Sequence, residues 1–319
     1  MTTSGVVTFS VNRDQIIRTA MLNIGKLDEN EVPTATETSD CAMFLNMLVK
    51  QWQGKADFAP GLKTWTRKRG YQFLNASGYQ YTLGPGGTGW TNSFVTTSTT
   101  AAAASGQAVV MVTSVSGMTA GDRFGVEDVN GDLDWYTILT AIGTTVTLTS
   151  NLTSNVGTSS TVFTYTTAGT QPINIEAVVL RDSQNNDVPM NILFQPQYDS
   201  LPAKTNPTNI SDPGAVYYEF QLTNSNLFTD VAGAADVTKY LVITYLSAEE
   251  DFVSATDTPA YPQEWYLALA LGLSKLIAPM FNAPWTAARE SNYKLALAIA
   301  QKKEPEKVVY YFQCNDTDV

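Results

Sequence analysis

Two amphipathic helical tracts open the chain. Asn12 and Gln15 stand at capping-box spacing, Ile16, Ile17, Ala20, Met21 and Ile24 recur at helical intervals, and Gly25 stops the pattern. After KLDENEVP, Thr34 and Glu37 repeat the box, and Cys41, Phe44, Leu45, Leu48 and Trp52 form one apolar stripe that Met43 and Met47 widen. Two such helices joined by a short loop predict an αα-hairpin. From Leu62 the period changes to two. Trp65, Arg67, Arg69, Tyr71 and Phe73 alternate with polar residues, and Tyr79 and Tyr81 follow a Ser77-Gly78 turn, predicting a β-hairpin.

Gly84, Pro85, Gly86, Gly87 and Gly89 break that pattern and mark the entry to an insertion. Inside it, VVMVTSV, RFGVEDV, DWYTIL and TVTLTS are short β runs spaced as in a small sandwich or barrel. Asn130-Gly131 predicts a type I′ hairpin turn between two of them. The low-complexity TTSTTAAAASG reads as a surface strand or flexible loop. Beyond Thr167, IEAVVLRDSQNNDVPMNIL predicts a second hairpin turning at Asn185, Asn186 and Asp187. The strands VYYEFQL, NLFTD and KYLVITYL then join residues 62–83 in one β layer that the insertion interrupts.

Tyr261-Pro262 opens a helix whose face is Trp265, Leu269, Leu273 and Leu276, and which Pro279 ends. A second tract, from Trp285 to Lys303, carries Ala288, Leu295, Ala298 and Ile299 as its apolar positions, with Lys302 and Lys303 at the negative helix end. The fold class expected is α+β: a helical-bundle body with an antiparallel β layer, an inserted all-β domain (sandwich or small barrel) and an extended C-terminal arm. The boundaries fall at 1–83 for the αα-hairpin and β-hairpin, 84–167 for the insertion, 168–256 for the β layer, 257–303 for the C-terminal helices and 304–319 for the arm.

Composition narrows the function classes. The 319 residues contain no histidine and two cysteines, Cys41 and Cys314, too few and too distant for a disulfide framework. Nineteen Lys and Arg against thirty Asp and Glu give a net charge of −11, which repels phosphate and disfavours general nucleic-acid affinity. MTTSGVVTFS lacks the basic start and apolar stretch of a secretory signal, and no segment is apolar enough to span a membrane, so synthesis and assembly are expected in the cytoplasm.

Candidate chemistry is sparse. Asp128, Asn130, Asp132 and Asp134 alternate oxygen ligands that suit Ca²⁺, but the spacing misses the EF-hand pattern and Asn-Gly already accounts for the turn. A carboxylate pair such as Glu127 with Asp134, or Glu249 with Asp251, has no context that marks it for glycoside hydrolysis. GPGGTG lacks the Lys and following helix of a phosphate loop. No catalytic, cofactor or metal residues are assigned, and no enzyme activity is expected. Arg67, Lys68 and Arg69 form the densest basic run, with Arg67 and Arg69 on one strand face. Such a run is expected to answer acids of a neighbouring subunit, for which Glu249, Glu250 and Asp251 are one counterpart, or to face DNA. Trp265, Tyr266 and Leu269 read as a partner-binding face or, at helical spacing, as core. Val308, Val309, Tyr310, Tyr311 and Phe312 have high β propensity beyond the last helix and either pair with a partner or pack on their own subunit.

Read in order, NRDQIIRTAMLNIGKL, LNMLVKQWQ, TWTRKRGYQF, DSQNNDVPM and DFVSATDTPAYPQEWYLALALGLSKLIAPMF resemble the head-to-tail adaptor family of short-tailed bacteriophages, also described as head-completion or packaged-DNA-stabilisation proteins. The likeness is one of order and pattern and covers both ends and much of the middle. It implies a homo-oligomeric, twelve-fold ring in the virion, below the portal protein and above the tail nozzle. Helices form the ring body, and the arm from Glu304 to Val319, with Val308 to Phe312 at its centre, docks on the portal. Such a ring retains packaged double-stranded DNA without sequence-specific contacts and offers the platform for tail attachment. A second expectation, from a different class, is a carbohydrate- or host-surface-binding tail protein whose insertion exposes Trp90, Trp135 and Tyr136.

Overall fold

The computed structural model of the chain describes residues 9–53, 67–248 and 250–301. The helices are α1 (Arg13–Ile24), α2 (Ala35–Gln53), α3 (Gln195–Asp199), α4 (Glu264–Ile277) and α5 (Ala287–Gln301). The strands begin with β1 (Arg67–Phe73), β2 (Gln80–Leu83), β3 (Trp90–Thr91), β4 (Val95–Ser98) and β5 (Val109–Met111). They continue with β6 (Arg123–Glu127), β7 (Leu133–Ile142), β8 (Thr145–Leu148), β9 (Thr161–Tyr165) and β10 (Pro172–Arg181). The last are β11 (Asp187–Pro189), β12 (Asn191–Leu193), β13 (Ala215–Glu219), β14 (Ser225–Thr229) and β15 (Tyr240–Ser247). The fold is mixed α+β with more strand than helix. The described residues divide into two compact units, 9–53 with 250–301 and 67–248.

The first unit is helical and draws on both ends of the chain. Asn12 caps α1 with the expected box, its side chain accepting from the Gln15 amide at 2.9 Å while the Gln15 side chain accepts from the Asn12 amide, and Gly25 closes the helix in the left-handed region. At the start of α2 the Thr34 amide and hydroxyl donate to Glu37 Oε2 at 3.0 and 2.9 Å, and the Glu37 amide donates to Thr34 Oγ1 at 3.3 Å. α4 packs against α1, α2 and α5. Trp265, Leu269 and Leu273 of α4 share one core with Ile17, Met21, Leu45, Leu48 and Trp52. The segment before α4 is tied down: Asn46 exchanges two hydrogen bonds with the Phe252 backbone, Lys50 pairs with Asp251 at 2.9 Å, and Arg13 donates to the Val253 carbonyl at 2.7 Å.

The Thr34 amide, its hydroxyl and the Lys26 ammonium together pull the Glu37 carboxyl from its usual 4.5 down to about 2. A carboxyl depressed on folding stabilises the fold above its unfolded value, and that contribution fades as pH falls through the folded one. Glu37→Gln is therefore expected to lower the melting temperature of the helical unit at neutral pH, with the difference from wild type shrinking between pH 4.5 and about 2. A difference that is constant down to the lower limit would assign the box no charge-dependent part.

Two expected apolar faces turn outward. Met43 and Met47 are 49% and 54% exposed, because the helices packed on α2 cover Cys41, Leu45, Leu48 and Trp52 instead. On α5 the positions expected inside, Ala288, Leu295, Ala298 and Ile299, are exposed, and Ala296 and Ala300 are buried with Tyr293 and Leu297 packed beside them. Small side chains let α5 lie close to α4, and a stripe of alanines is invisible beside Leu and Ile in a pattern read by hydrophobicity alone.

The second unit holds three sheets. A five-stranded sheet runs β11-β10-β15-β1-β3, and a four-stranded sheet runs β12-β13-β14-β2. The expected single β layer is thus two sheets facing each other across Leu83, Val178, Leu180, Val216, Leu227, Leu241 and Ile243. The expected hairpin of β1 with β2 does not form: β1 pairs with β15 and β3, and β2 pairs with β14. Trp90 fills the centre of this core, and it lies over Gly70, where a Cβ would come within 2.1 Å of the indole ring.

The insertion forms the third sheet, antiparallel in the order β4-β9-β6-β7-β8-β5. It curls until its edge strands meet at the Thr99–Val112 bridge, flanked by the bonds Thr100 N to Met111 O at 2.9 Å and Thr113 N to Ser98 O at 2.8 Å. Of the two forms expected, this is the barrel-like one. The turn from β6 to β7 differs from expectation. Gly131 alone is left-handed (φ +79°), and the bonds Gly131 N to Asp128 O and Asp128 N to Asp132 O make a three-residue loop with a glycine bulge in place of a type I′ turn. The β10–β11 turn repeats it, with Asn185 (φ +65°) where the first has glycine.

The curled sheet is fused to the five-stranded sheet. Phe73, Val242 and Tyr240 from one meet Leu133, Phe163, Tyr165, Trp135 and Phe94 from the other in a common cluster. Phe73 stacks on Phe163 at 4.4 Å and meets Phe94 edge-on at 5.1 Å. Boundaries at 84 and 167 therefore fall within one compact unit.

Candidate functional site

Alternation along β1 places Arg67 and Arg69 on the same face as Tyr71 and Phe73, with Lys68 on the opposite face. All three cations are exposed. Arg67 finds an acid in its own chain, its Nε lying 2.6 Å from Glu176 Oε2 on β10. Farther along β10, Arg181 grips Asp187 through two parallel bonds of 2.6 and 2.7 Å, and that guanidinium holds the Asp187 carboxyl below its ordinary value, with Arg69 adding to the effect. The outer face of the five-stranded sheet thus ends in a partly neutralised basic strip beyond the aromatic cluster. Of the proposed acidic counterpart, Asp251 is engaged by Lys50 at 2.9 Å, and Glu249 lies outside the described residues.

The oxygen-rich turn is consumed by its own backbone. Asp128 accepts from the Asn130 and Asp132 amides at 2.8 and 2.9 Å and from the Asn130 side chain at 2.9 Å. Burial raises the Asp128 carboxyl, but these bonds outweigh it and leave the group below its ordinary value. Asp132 accepts from the Ala76 amide at 2.9 Å and the Ser77 hydroxyl at 3.3 Å, fastening the β1–β2 connection to the curled sheet. Asp134 takes the Tyr136 and Thr153 hydroxyls. Glu127 accepts from the Thr161 amide at 3.1 Å. Among the described residues no group of three His, Cys, Asp or Glu is placed to hold a metal ion. The glycine-rich loop is a turn: the Gly86 amide donates to Asn224 Oδ1 at 3.0 Å and the Gly87 amide to the Gly84 carbonyl at 2.9 Å.

The aromatic candidates lie inside. Trp90 is 0% and Tyr136 6% exposed, and Trp135 packs in the aromatic cluster between Phe73 and Tyr165. A glycan platform on the insertion would need other side chains, because Trp90 and Trp135 are spent between sheets and Tyr136 lies in the curled sheet's own core. Trp265 and Leu269 are core, and Tyr266 is half-buried against Phe9. The Cys41 thiol is free and buried, and burial pushes it up to about 11, which makes it a core side chain without nucleophilic character at neutral pH. Val308, Val309, Tyr310, Tyr311 and Phe312 lie outside the described residues, as do Lys302, Lys303 and Cys314.

What remains on the surface is apolar contact area. Besides the outward faces of α2 and α5, Leu267 on α4 is 59% exposed. In the helical unit a cleft of about 550 Å³ opens between the starts of α1 and α2 and the Phe252–Val253 segment. On the curled sheet, Val109 and Met111 border a shallow cleft of about 390 Å³ with Ala101, Ala102 and Ala108. Sequence reasoning missed both clefts, since each is made where separated segments converge. Among the described residues no helix is long and apolar enough to cross a membrane. No protein-family model matches the chain, and no curated protein matches it either.

Proposed function

We propose that the chain is a structural head-to-tail adaptor of a short-tailed bacteriophage, copies of which close into a twelve-fold ring between portal and tail nozzle. The observation that carries this reading is the helical unit. Both ends of the chain converge on one core, and yet Met43, Met47, Leu267, Leu295 and Ile299 are left uncovered on its surface. Met43 with Met47 and Leu295 with Ile299 each stand one turn apart on a helix, so each pair is apolar area that another macromolecule could cover. In this reading the helices are the ring body, and the insertion is an added decoration or docking domain. The net charge of −11 gives the lumen a sign that lets DNA pass without adhering. Carboxylates that hold turn backbones, in place of converging on a pocket, accord with a role by shape.

Residues 304–319 are the portal-docking arm in this proposal. Deleting Glu304 to Val319 is expected to abolish joining of the purified chain to DNA-filled heads, read by sedimentation of the heads, while the helical circular dichroism signal stays. Retained attachment would overturn the arm.

A further inference from the structure

The two unpartnered faces of the helical unit differ in shape and in charge. α5 presents a convex stripe: Leu295 and Ile299, one turn apart, are 61% and 51% exposed, and Ala288 and Ala298 continue the same face. The cleft is concave, floored by Ala42 and Asn46 and rimmed by Thr38, Ser39, Met43 and Val253, with Val253 79% exposed. α1 and α2 pack on each other and on α4, whereas α5 packs on α4. The cleft and the stripe therefore belong to different elements.

Arg13 and Asp14, the charged residues that line the cleft, pair with each other at 2.8 Å, and from Leu27 to Val49 the chain carries Asp28, Glu29, Glu31, Glu37 and Asp40 and neither Lys nor Arg, so the surroundings of the cleft are net acidic. The stripe side is basic. Arg289 and Lys294 flank it, and the one acid of α5, Glu290, is shared between Lys275 at 2.9 Å, Lys294 at 3.6 Å and the Trp285 indole, so the cations outnumber it. Opposite signs favour stripe against cleft, and like signs oppose stripe against stripe. An amphipathic helix that lays residues i and i+4 into a groove bordered by methionine is a common mode of recognition, methionine being able to adjust to the entering side chains.

We infer that the occupant of the cleft is α5 of a second copy of this chain, so that the seam of the proposed ring is a head-to-tail contact of stripe with cleft. The inference rests on the adaptor reading for its closure into a ring. The contact itself follows from the two surfaces. A contact of stripe with cleft propagates from copy to copy until rotation closes it, whereas a two-fold pair would seat both stripes in both clefts at once and stop at two copies, so a doubly substituted chain that traps as dimers alone overturns the head-to-tail seam.

The test is disulfide trapping in full-length chains carrying Cys314→Ser, with Cys41 left in its buried place. One chain also carries Met43→Cys, the other Leu295→Cys. Mild oxidation of the mixture is expected to give covalent dimers, either chain alone none, and a chain with both substitutions a ladder of bands. Ile299→Asp added to the Leu295→Cys chain is expected to remove the trapping while circular dichroism is unchanged, Ile299 being exposed. Absence of dimers in the mixture, or equal dimers from one variant alone, overturns the seam. Trapping that appears only after residues 304–319 are deleted gives the stripe to the chain's own C-terminal segment and also overturns it. Rings seen by electron microscopy in a sample that does not trap remove the seam and leave the ring reading standing. Trapped ladders from a chain that does not join heads do the reverse.

Discussion

Phe73→Ala is expected to lower the stability of the β unit by about 3–5 kcal/mol, the range for removing a large aromatic side chain from a core that cannot collapse around the gap. Phe73 is 1% exposed, stacks on Phe163 at 4.4 Å, and lies within 6 Å of Phe94, Trp135 and Tyr240. Phe163 and Trp135 belong to the curled sheet, Phe94 precedes its first strand, and Tyr240 belongs to the five-stranded sheet. The single truncation thus removes the ring on which both sheets rest. Urea unfolding followed by near-ultraviolet circular dichroism should show the shift, and hydrogen exchange should quicken in β6, β7 and β9 together with β1 and β15. A loss under about 1 kcal/mol, or quickened exchange confined to one sheet, would mean that the two sheets do not share a core.

Trp265→Ala should cost the helical unit a similar amount, about 3–5 kcal/mol. Trp265 is 1% exposed and meets Trp52 with ring centroids 5.7 Å apart, so it joins α4 to α2 at the centre of the cluster formed by both chain ends. Its indole N–H has no partner among the described residues. Trp265→Phe, which keeps most of the apolar area and deletes that donor, should cost much less. A tolerated alanine, measured by thermal unfolding at 222 nm, would place the unit's core elsewhere.

Local features were the legible ones. Both capping boxes could be read because each is a short-range exchange between residues three apart, and the structure contains both. The apolar positions of α1 read correctly because Ile16, Ile17, Ala20, Met21 and Ile24 are inside whichever helices surround them. The runs that became β5 to β8 were visible by alternation. β9 does not stand out by alternation, although TVFTY supplies Phe163 and Tyr165 to the aromatic cluster.

Partnership was not legible. Alternation in β1 and β2 says that both are strands, but nothing within either decides that one joins β15 and the other β14. Trp90, Trp135 and Tyr136 look like an exposed platform in a Ser- and Thr-rich context until the four-stranded sheet over Trp90, the five-stranded sheet against Trp135 and the curl that encloses Tyr136 are known. On α5, hydrophobicity pointed to Leu295 and Ile299, whereas close approach to α4 selected Ala296 and Ala300. The same misreading is informative, since residues that look like core and stand outside are the ones a partner would cover. The acidic turn failed in the other direction: its ligand-like oxygens are already satisfied by Asn130, Asp132, Ala76 and Thr153.

The most direct measurement is cryo-electron microscopy of intact particles assembled with this chain. A ring of its density between the portal and the nozzle is the expected result. Density for the chain at any other place in the particle, or its absence from the neck, would contradict the adaptor role.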